Sequence, residues 1–206
     1  SNENSDHPHG CLENLTGDYR FMDGTSMATP NVAGGMALIY QYFNSGKWME
    51  KVTLDGSTAR ALVINSCTHP KGSKVPDIFF GHGVVDLSTI LPIEKDFGVQ
   101  ITRQDSNKHS VPNNGHVTAQ LKVNPKQNKE KLQITLSYID PLLSIESPIP
   151  ITRDLDMIVT SPSNKIYIGD HLPSKDTQHT STNEKIIIDE DEIESGEYTI
   201  HVYGGY

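Results

Sequence analysis

Basic residues, cysteines and long apolar runs are all scarce in this chain of 206 residues. It carries 26 acidic against 17 basic residues, a formal net charge of -9, so we expect no basic stripe and no nucleic-acid partner. No apolar run approaches the roughly 20 residues that a transmembrane helix needs, so we expect no membrane span. The two cysteines, Cys11 and Cys67, lie far apart, which predicts separate thiols rather than a disulfide framework and leaves the compartment open.

The first part of the chain, up to about residue 93, has the spacing of helices. Apolar residues after Ser26 recur every three or four positions and predict a helix whose main face carries Val32, Met36, Ile39, Tyr40 and Phe43. Small residues line its other side, so we expect burial on nearly all sides and an end at Gly46. Residues 57–64 predict a second helix, capped by Asp55 or Ser57. Residues 81–87 predict a glycine turn into a short extended segment, with His82 as a structural loop residue.

The character of the sequence changes after residue 93. Alternating or β-branched segments predict six strands, at residues 117–123, 132–138, 155–160, 165–168, 185–188 and 198–203. Clusters of Pro, Asn, Gly and Ser separate them, which favours an antiparallel β-sandwich. The acidic run at residues 189–192 is typical of a solvated loop. The chain stops directly after a strand, so we expect one or two strands of the sandwich to be missing.

One segment carries chemistry: Gly24-Thr25-Ser26-Met27-Ala28-Thr29-Pro30. A serine at the start of a buried helix combines an exposed hydroxyl with unpaired first-turn N–H groups and the positive end of the helix dipole, which together suit an oxyanion. Gly24 allows a substrate backbone to come close. Judged on a serine at a helix start alone, an ordinary N-cap role for Ser26 or Thr25 is the more common interpretation.

The whole string, followed by Asn31-Val32-Ala33-Gly34, resembles the signature of the subtilase family, which usually has His where this chain has Asn31. The resemblance implies a serine endopeptidase that acts on protein or peptide substrates, with Ser26 as nucleophile and Gly24 and Thr25 supporting it. It implies no required cofactor, and it favours an extracellular or secretory setting, although the sequence itself fixes no compartment.

Later segments extend the resemblance. Residues 81–86 are similar to the glycine-rich segment that closes the subtilase catalytic domain. Residues 136–141, 153–163, 167–170 and 196–202 are similar to the C-terminal β-domain of certain large subtilases. We therefore expect an α/β subtilisin-like fragment at residues 1–93, followed by an all-β antiparallel, jelly-roll-like sandwich at residues 94–206 that is truncated at its end.

The rest of the catalytic machinery has no match in the chain. Subtilases place the triad Asp and His, and an oxyanion Asn, well before the serine, and only 25 residues precede Ser26. His9-Gly10 resembles the family's His-Gly pair, but it lies too close to Ser26 to be that histidine. We therefore expect a fragment that is inactive alone. The alternative is a non-catalytic relative that serves as a binding or structural module.

Two groups of side chains raise the question of metals. His7 and His9 form a His-x-His pair, for which an exposed loop is the more common interpretation and a metal site the less common one. Members of the similar β-domain group bind Ca²⁺, and carboxylates near turns suit that ion, so a structural Ca²⁺ stays open for Asp154, Asp156 and Asp170, beside a surface role as the more common interpretation. We predict no metal ligands from the sequence.

Overall fold

The computed structural model describes residues 23–47, 50–69, 75–91, 98–102, 111, 115–124, 131–140, 151–169 and 181–204. The chain divides into two units, residues 1–34 and residues 35–206. Two α-helices, a short 3₁₀ helix and antiparallel strands make up the described part. Within these ranges neither helix has the length and hydropathy that crossing a bilayer requires.

Helix α1 spans Thr25–Ser45, as the apolar spacing predicts, and Gly46 follows it with a φ of 65°. That left-handed conformation suits glycine and explains why the helix ends there. The expectation of burial on nearly all sides is wrong, because only Ile39, Tyr42 and Phe43 are buried. Leu38, for example, is 52% exposed. A three- and four-residue spacing marks an apolar face, but it does not show what packs against that face.

Helix α2 spans Gly56–Ser66. The predicted cap at Asp55 is confirmed, because its carboxylate accepts a 2.7 Å hydrogen bond from the N–H of Thr58. Strand β1 (Cys67–Thr68) follows directly and pairs with β2 (Val84–Val85), and the 3₁₀ helix Leu87–Thr89 comes next. The second half of α1, helix α2 and the residues just before α2 and just after the 3₁₀ helix share one buried cluster, made of Ile39, Tyr42, Phe43, Leu54, Leu62 and Ile90.

Six longer strands follow: β3 (His116–Val123), β4 (Leu132–Ser137), β5 (Leu155–Thr160), β6 (Ile166–Ile168), β7 (Asn183–Ile188) and β8 (Gly196–Gly204). Each lies within two residues of a predicted strand. They form a four-stranded sheet in the order β3-β8-β5-β6 and a two-stranded sheet of β4 and β7. All described pairs are antiparallel, as expected, and these described strands do not close into a barrel.

The two sheets share a second buried cluster, with Ile134, Ile186 and Ile188 from the two-stranded sheet and Met157, Val159 and Tyr198 from the four-stranded sheet. Successive side chains of a strand point to opposite faces, so each sheet also has a face turned away from this cluster. Strand β3 shows the pattern clearly, with exposed and half-buried residues in strict alternation. The acidic turn after β7 is exposed at residues 190–192, as the charge run predicts.

Two adjacent charged residues of β7 are buried and serve opposite faces of their strand. Glu184 is 4% exposed, and its carboxylate accepts a 2.6 Å hydrogen bond from the N–H of Met157 in the other sheet. Lys185 is 3% exposed, and its ammonium donates 2.8 Å hydrogen bonds to the carbonyls of Ile64 and Cys67 at the end of α2. A cation suits the carbonyl end of a helix, so Lys185 ties α2 to the two-stranded sheet.

Side-chain hydrogen bonds widen this contact. Asn65 of α2 accepts a 2.9 Å bond from the hydroxyl of Thr135 on β4, and Arg60 donates a 3.0 Å bond to the hydroxyl of Thr182 just before β7. Helix α2 therefore packs on the two-stranded sheet across the predicted boundary. The division of the chain near residue 93 stays a prediction.

Two of the sequence segments that resemble the subtilase β-domain meet in space. The carboxylate of Asp140 accepts hydrogen bonds from the N–H groups of Thr152 (2.6 Å) and Arg153 (3.0 Å). The hydroxyl of Tyr138 donates a 2.7 Å bond to the carbonyl of Arg153, and burial raises the pKa of this phenol to about 12. Residues 138–140 thus fix the backbone that leads into β5.

Replacing the Lys185 ammonium by an apolar group of similar length tests its role. We expect Lys185→Met to lower the free energy of unfolding by about 2–4 kcal/mol, because buried carbonyls lose a charged donor. Urea unfolding followed by circular dichroism measures the change. The matched control is Lys122→Met on the exposed side of β3, expected to stay within about 0.5 kcal/mol of the parent. Equal effects of the two substitutions would contradict the role of Lys185.

Candidate active site

The predicted nucleophile, Ser26, is exposed in the first turn of α1. The chain enters the helix through Gly24, whose φ of 134° is a conformation that side chains other than glycine rarely adopt. A β-carbon at Gly24 would have only the Sδ atom of Met27 within 4 Å, at 3.9 Å, so backbone geometry rather than crowding calls for glycine here. The space next to Gly24, at the start of the helix that carries Ser26, is therefore open.

Backbone hydrogen bonds fix the start of this helix. The carbonyl of Gly24 accepts bonds from the N–H groups of Met27 at 3.0 Å and Ala28 at 3.2 Å. The N–H groups of a first helical turn point out of the helix end, where the dipole is positive. Gly24 takes the N–H groups of Met27 and Ala28, so the N–H of Ser26 is a first-turn donor that an anion bound at this hydroxyl could use.

Pro30 interrupts the hydrogen bonds near the start of α1. Because the helix begins at Thr25, Pro30 lies in the second turn, where its missing N–H leaves the carbonyl of Ser26 without its usual helical donor. Neighbouring side chains add hydrogen bonds: Thr29 Oγ1 donates to the carbonyl of Thr25, and Asn31 Nδ2 donates to that of Met27, both at 2.8 Å. The amide of Asn31 thus has a local role that spacing alone did not reveal.

A serine hydroxyl needs a base to accept its proton. Residues 23–34, the described part of the first unit, contain no histidine. His7 and His9, the pair considered for a metal, and the His9-Gly10 pair that lies too close to Ser26 to supply the base, are outside the described residues. Within residues 23–34 the described structure therefore places an exposed serine at a helix start, and this range holds no imidazole.

A second sequence candidate, His82, lies in the glycine turn between Gly81 and Gly83, both of which have positive φ. A β-carbon on Gly83 would overlap the carbonyl oxygen of Thr68 and lie 2.7 Å from Cε1 of His69, so the turn packs closely on β1. Burial, and then the charge of Lys185, lowers the pKa of both His69 and His82 below the ordinary histidine value. This packing supports the structural role predicted for His82.

The carboxylates considered for Ca²⁺ differ in their surroundings. Asp156 on β5 is only 2% exposed, so the surface role expected for it is wrong, whereas Asp154 is half-buried. A strand pattern does not reveal which charged residue a neighbouring segment covers. Asp170 lies outside the described residues. Within the described ranges, no three of the His, Cys, Asp and Glu side chains come together as a metal-binding group.

The model of the subtilase family matches residues 4–83 of this chain. No curated protein matches this chain. The matched segment includes the whole string from Gly24 to Pro30, helix α2 and the turn at Gly83. It ends before the six longer strands begin.

The conformation of Gly24 gives a test of the helix start. We expect Gly24→Ala to destabilise the first turn by about 1–2 kcal/mol, because alanine is strained at a φ of 134°. Faster amide exchange at Met27 and Ala28, which donate to the Gly24 carbonyl, would report it. The control is Gly34→Ala, where a β-carbon meets nothing within 4 Å, and we expect this substitution to strengthen the helix by about 0.5–1 kcal/mol. Slower exchange in both variants would refute the strained entry.

The lowered pKa values of His69 and His82 predict how stability changes with pH. Because their folded-state pKa lies below the ordinary value near 6.5, the unfolded chain binds more protons around that pH. The contribution of these two histidines to the free energy of unfolding is therefore most favourable above this pH, and it decreases as the pH falls through and below it. We expect His82→Gln, which removes one such group, to lose less stability than the parent between pH 8 and pH 5 in urea unfolding. A steeper loss in the variant would contradict this assignment.

Proposed function

From the premise that residues 4–83 are a subtilase-family segment, we propose that this chain carries the nucleophile of a serine endopeptidase, and that Ser26 is that nucleophile. The observation that carries the proposal is the position of Ser26: it is exposed in the first turn of α1, directly after a glycine with a φ of 134°. An ordinary N-cap serine would instead stand just before the helix, where Gly24 stands here, and its side-chain oxygen would accept a hydrogen bond from a first-turn N–H.

The proposed reaction is acyl transfer to water. The Oγ atom of Ser26 attacks the carbonyl carbon of a peptide bond while a base takes its proton, and a tetrahedral oxyanion forms. The C–N bond then breaks, and the leaving amine takes that proton. Water attacks the remaining ester, releases the acid and returns the proton to Ser26. The substrate class is protein or peptide, and no cofactor enters these steps.

The N–H of Ser26 is the oxyanion donor that this chain offers. It lies at the positive end of a helix of 21 residues, where a developing negative charge is favoured. Gly24 and Thr25 support the site by placing Ser26 at the N-terminal end of α1. Gly24 does so without a side chain beside the proposed oxyanion position. Loss of one oxyanion donor in an acyl-transfer enzyme typically lowers the rate by about 100-fold or more. On this proposal the Ser26 N–H contributes an effect of that kind.

We also propose that the base, the acid that orients it, and a side-chain oxyanion donor lie outside these 206 residues. Two observations support this. The described part of the first unit has no histidine, and the family resemblance places all three groups far before the serine. On this view the chain alone is inactive.

Exposed apolar side chains give independent support for further protein around this segment. Val32 and Leu38 of α1 are 38% and 52% exposed, and Ile78 and Phe79 of the turn before Gly81 are 90% and 86% exposed. Exposed apolar side chains mark an interface when they form one contiguous patch. We propose that the rest of the catalytic domain covers the adjacent side chains of Ile78 and Phe79.

The strands after residue 115 have a separate proposed role. The two sheets share one buried cluster, which supports a sandwich, with the jelly-roll-like connection predicted from the sequence. Lys185 and the side-chain hydrogen bonds of α2 join this sandwich to the segment that carries the family match. We propose that it stabilises the catalytic part by holding the end of α2. A structural Ca²⁺ in its loops is a further element of the proposal, drawn from the family resemblance alone.

A fluorophosphonate probe tests the nucleophile, because such probes phosphonylate a serine only when its hydroxyl is activated. The protein to label is the product of the longest reading frame that contains this sequence, beside the 206-residue chain. We expect labelling of the longer product at Ser26, no labelling after Ser26→Ala, and none of the 206-residue chain. Ser161→Ala, which alters a serine of the β-region, is the control and should retain full labelling.

The outcomes separate the parts of the proposal. Labelling of the 206-residue chain at Ser26 would refute the absent base but keep the nucleophile. Labelling of the longer product that persists in Ser26→Ala would refute the nucleophile itself. A folded longer product that no probe labels would favour a non-catalytic relative that uses its sandwich for binding.

A further inference from the structure

Strands β3 and β8 bring two histidines together on the exposed face of the four-stranded sheet. In the antiparallel register, His116 lies opposite Tyr203, and Thr118 lies opposite His201. Directly opposed residues share a face, and His116 and Thr118 are exposed on that face of β3. The two imidazoles are therefore diagonal neighbours with access to solvent.

Their separation is close to that of two ligands of one metal ion. The ring centroids are 5.7 Å apart and the ring planes meet at 55°. A metal–imidazole bond is about 2 Å long and the ring centre lies about 1 Å behind the nitrogen, so each centre stands about 3 Å from a bound ion. At the tetrahedral angle that Zn²⁺ prefers, two rings that share an ion therefore have centres about 5 Å apart. The observed 5.7 Å is slightly longer, so the two side chains need a small adjustment to share an ion.

Neighbouring side chains already orient the pair. Thr118 Oγ1 lies 3.4 Å from Nδ1 of His201, where an Nδ1–H can donate to it. Metal-binding histidines commonly give their second ring N–H to an oxygen, which fixes the tautomer and leaves the other nitrogen for the metal. The Tyr203 ring packs beside both imidazoles, with centroid distances of 5.3 Å to His116 and 6.1 Å to His201.

We propose that His116 and His201 form a binding site for a divalent transition metal such as Cu²⁺ or Zn²⁺, with water completing the coordination. Neutral imidazole is a ligand that these ions favour. The eight registered residue pairs between β3 and β8 hold both histidines, so binding needs little rearrangement of the backbone. A bound ion would cross-link the start of β3 to the last part of β8. This site is independent of Ser26 and of the proposed peptidase activity.

Copper titration of the 206-residue chain tests the site. The chain holds nine histidines, so the measurement concerns its tightest Cu²⁺ equivalent. We expect electron paramagnetic resonance of that equivalent to show two imidazole nitrogens, and affinity to fall by about tenfold or more in His116→Gln and in His201→Gln. Thr118→Val should weaken binding less. Lys122→Gln, on the same exposed face of β3, is the matched control and should leave the affinity unchanged.

A second measurement does not depend on how the variants fold. In the unaltered chain, substoichiometric Cu²⁺ should broaden the NMR signals of His116 and His201 before those of the other histidines. Saturating Zn²⁺ should raise the melting temperature, since it binds only the folded pair. Unchanged affinity in the His116→Gln/His201→Gln variant would overturn the proposal, and so would broadening that begins at other histidines.

Discussion

The buried ammonium of Lys185 is the interaction on which the arrangement of the second unit depends. It reaches two carbonyls at the end of α2, while the adjacent Glu184 points to the opposite face of β7 and accepts the N–H of Met157. Two neighbouring residues of one strand thus hold a helix on one side and a second sheet on the other. Burial of such charges is tolerated only when hydrogen bonds satisfy them, so these contacts fix which layers meet.

This arrangement connects the β-region to the family-matched segment. Helix α2 lies within residues 4–83, the segment that the subtilase family model matches. It packs on β4 and β7, so the two-stranded sheet contacts the matched segment. The nucleophile candidate sits in a different unit, at a helix start shaped by Gly24, Pro30 and Asn31. From this unit the proposed chemistry needs the exposed hydroxyl and the first-turn N–H of Ser26. The base and the other catalytic groups come from outside these residues.

The elements were predictable from the sequence, and their surroundings were not. The alternation over residues 155–160 gives strand β5 with its observed bounds, and Asp55 caps α2 as predicted, because both signals are local. The burial of Lys185 and Asp156 depends on segments distant in sequence, and no periodicity encodes it. The subtilase string identifies Ser26 as a candidate, whereas the His116–His201 pair needs the register of two strands 80 residues apart.

The central claim is that Ser26 serves a subtilase-type active site whose other groups are encoded before it. Sequencing the transcript upstream of the Ser1 codon tests this most directly. We predict an open reading frame that carries an Asp-x-Gly strand, a His-Gly helix and an oxyanion Asn, in that order. A stop codon in frame just upstream, followed by a start codon next to Ser1, would contradict the account, because the upstream Asp, His and Asn that it requires would then not be encoded.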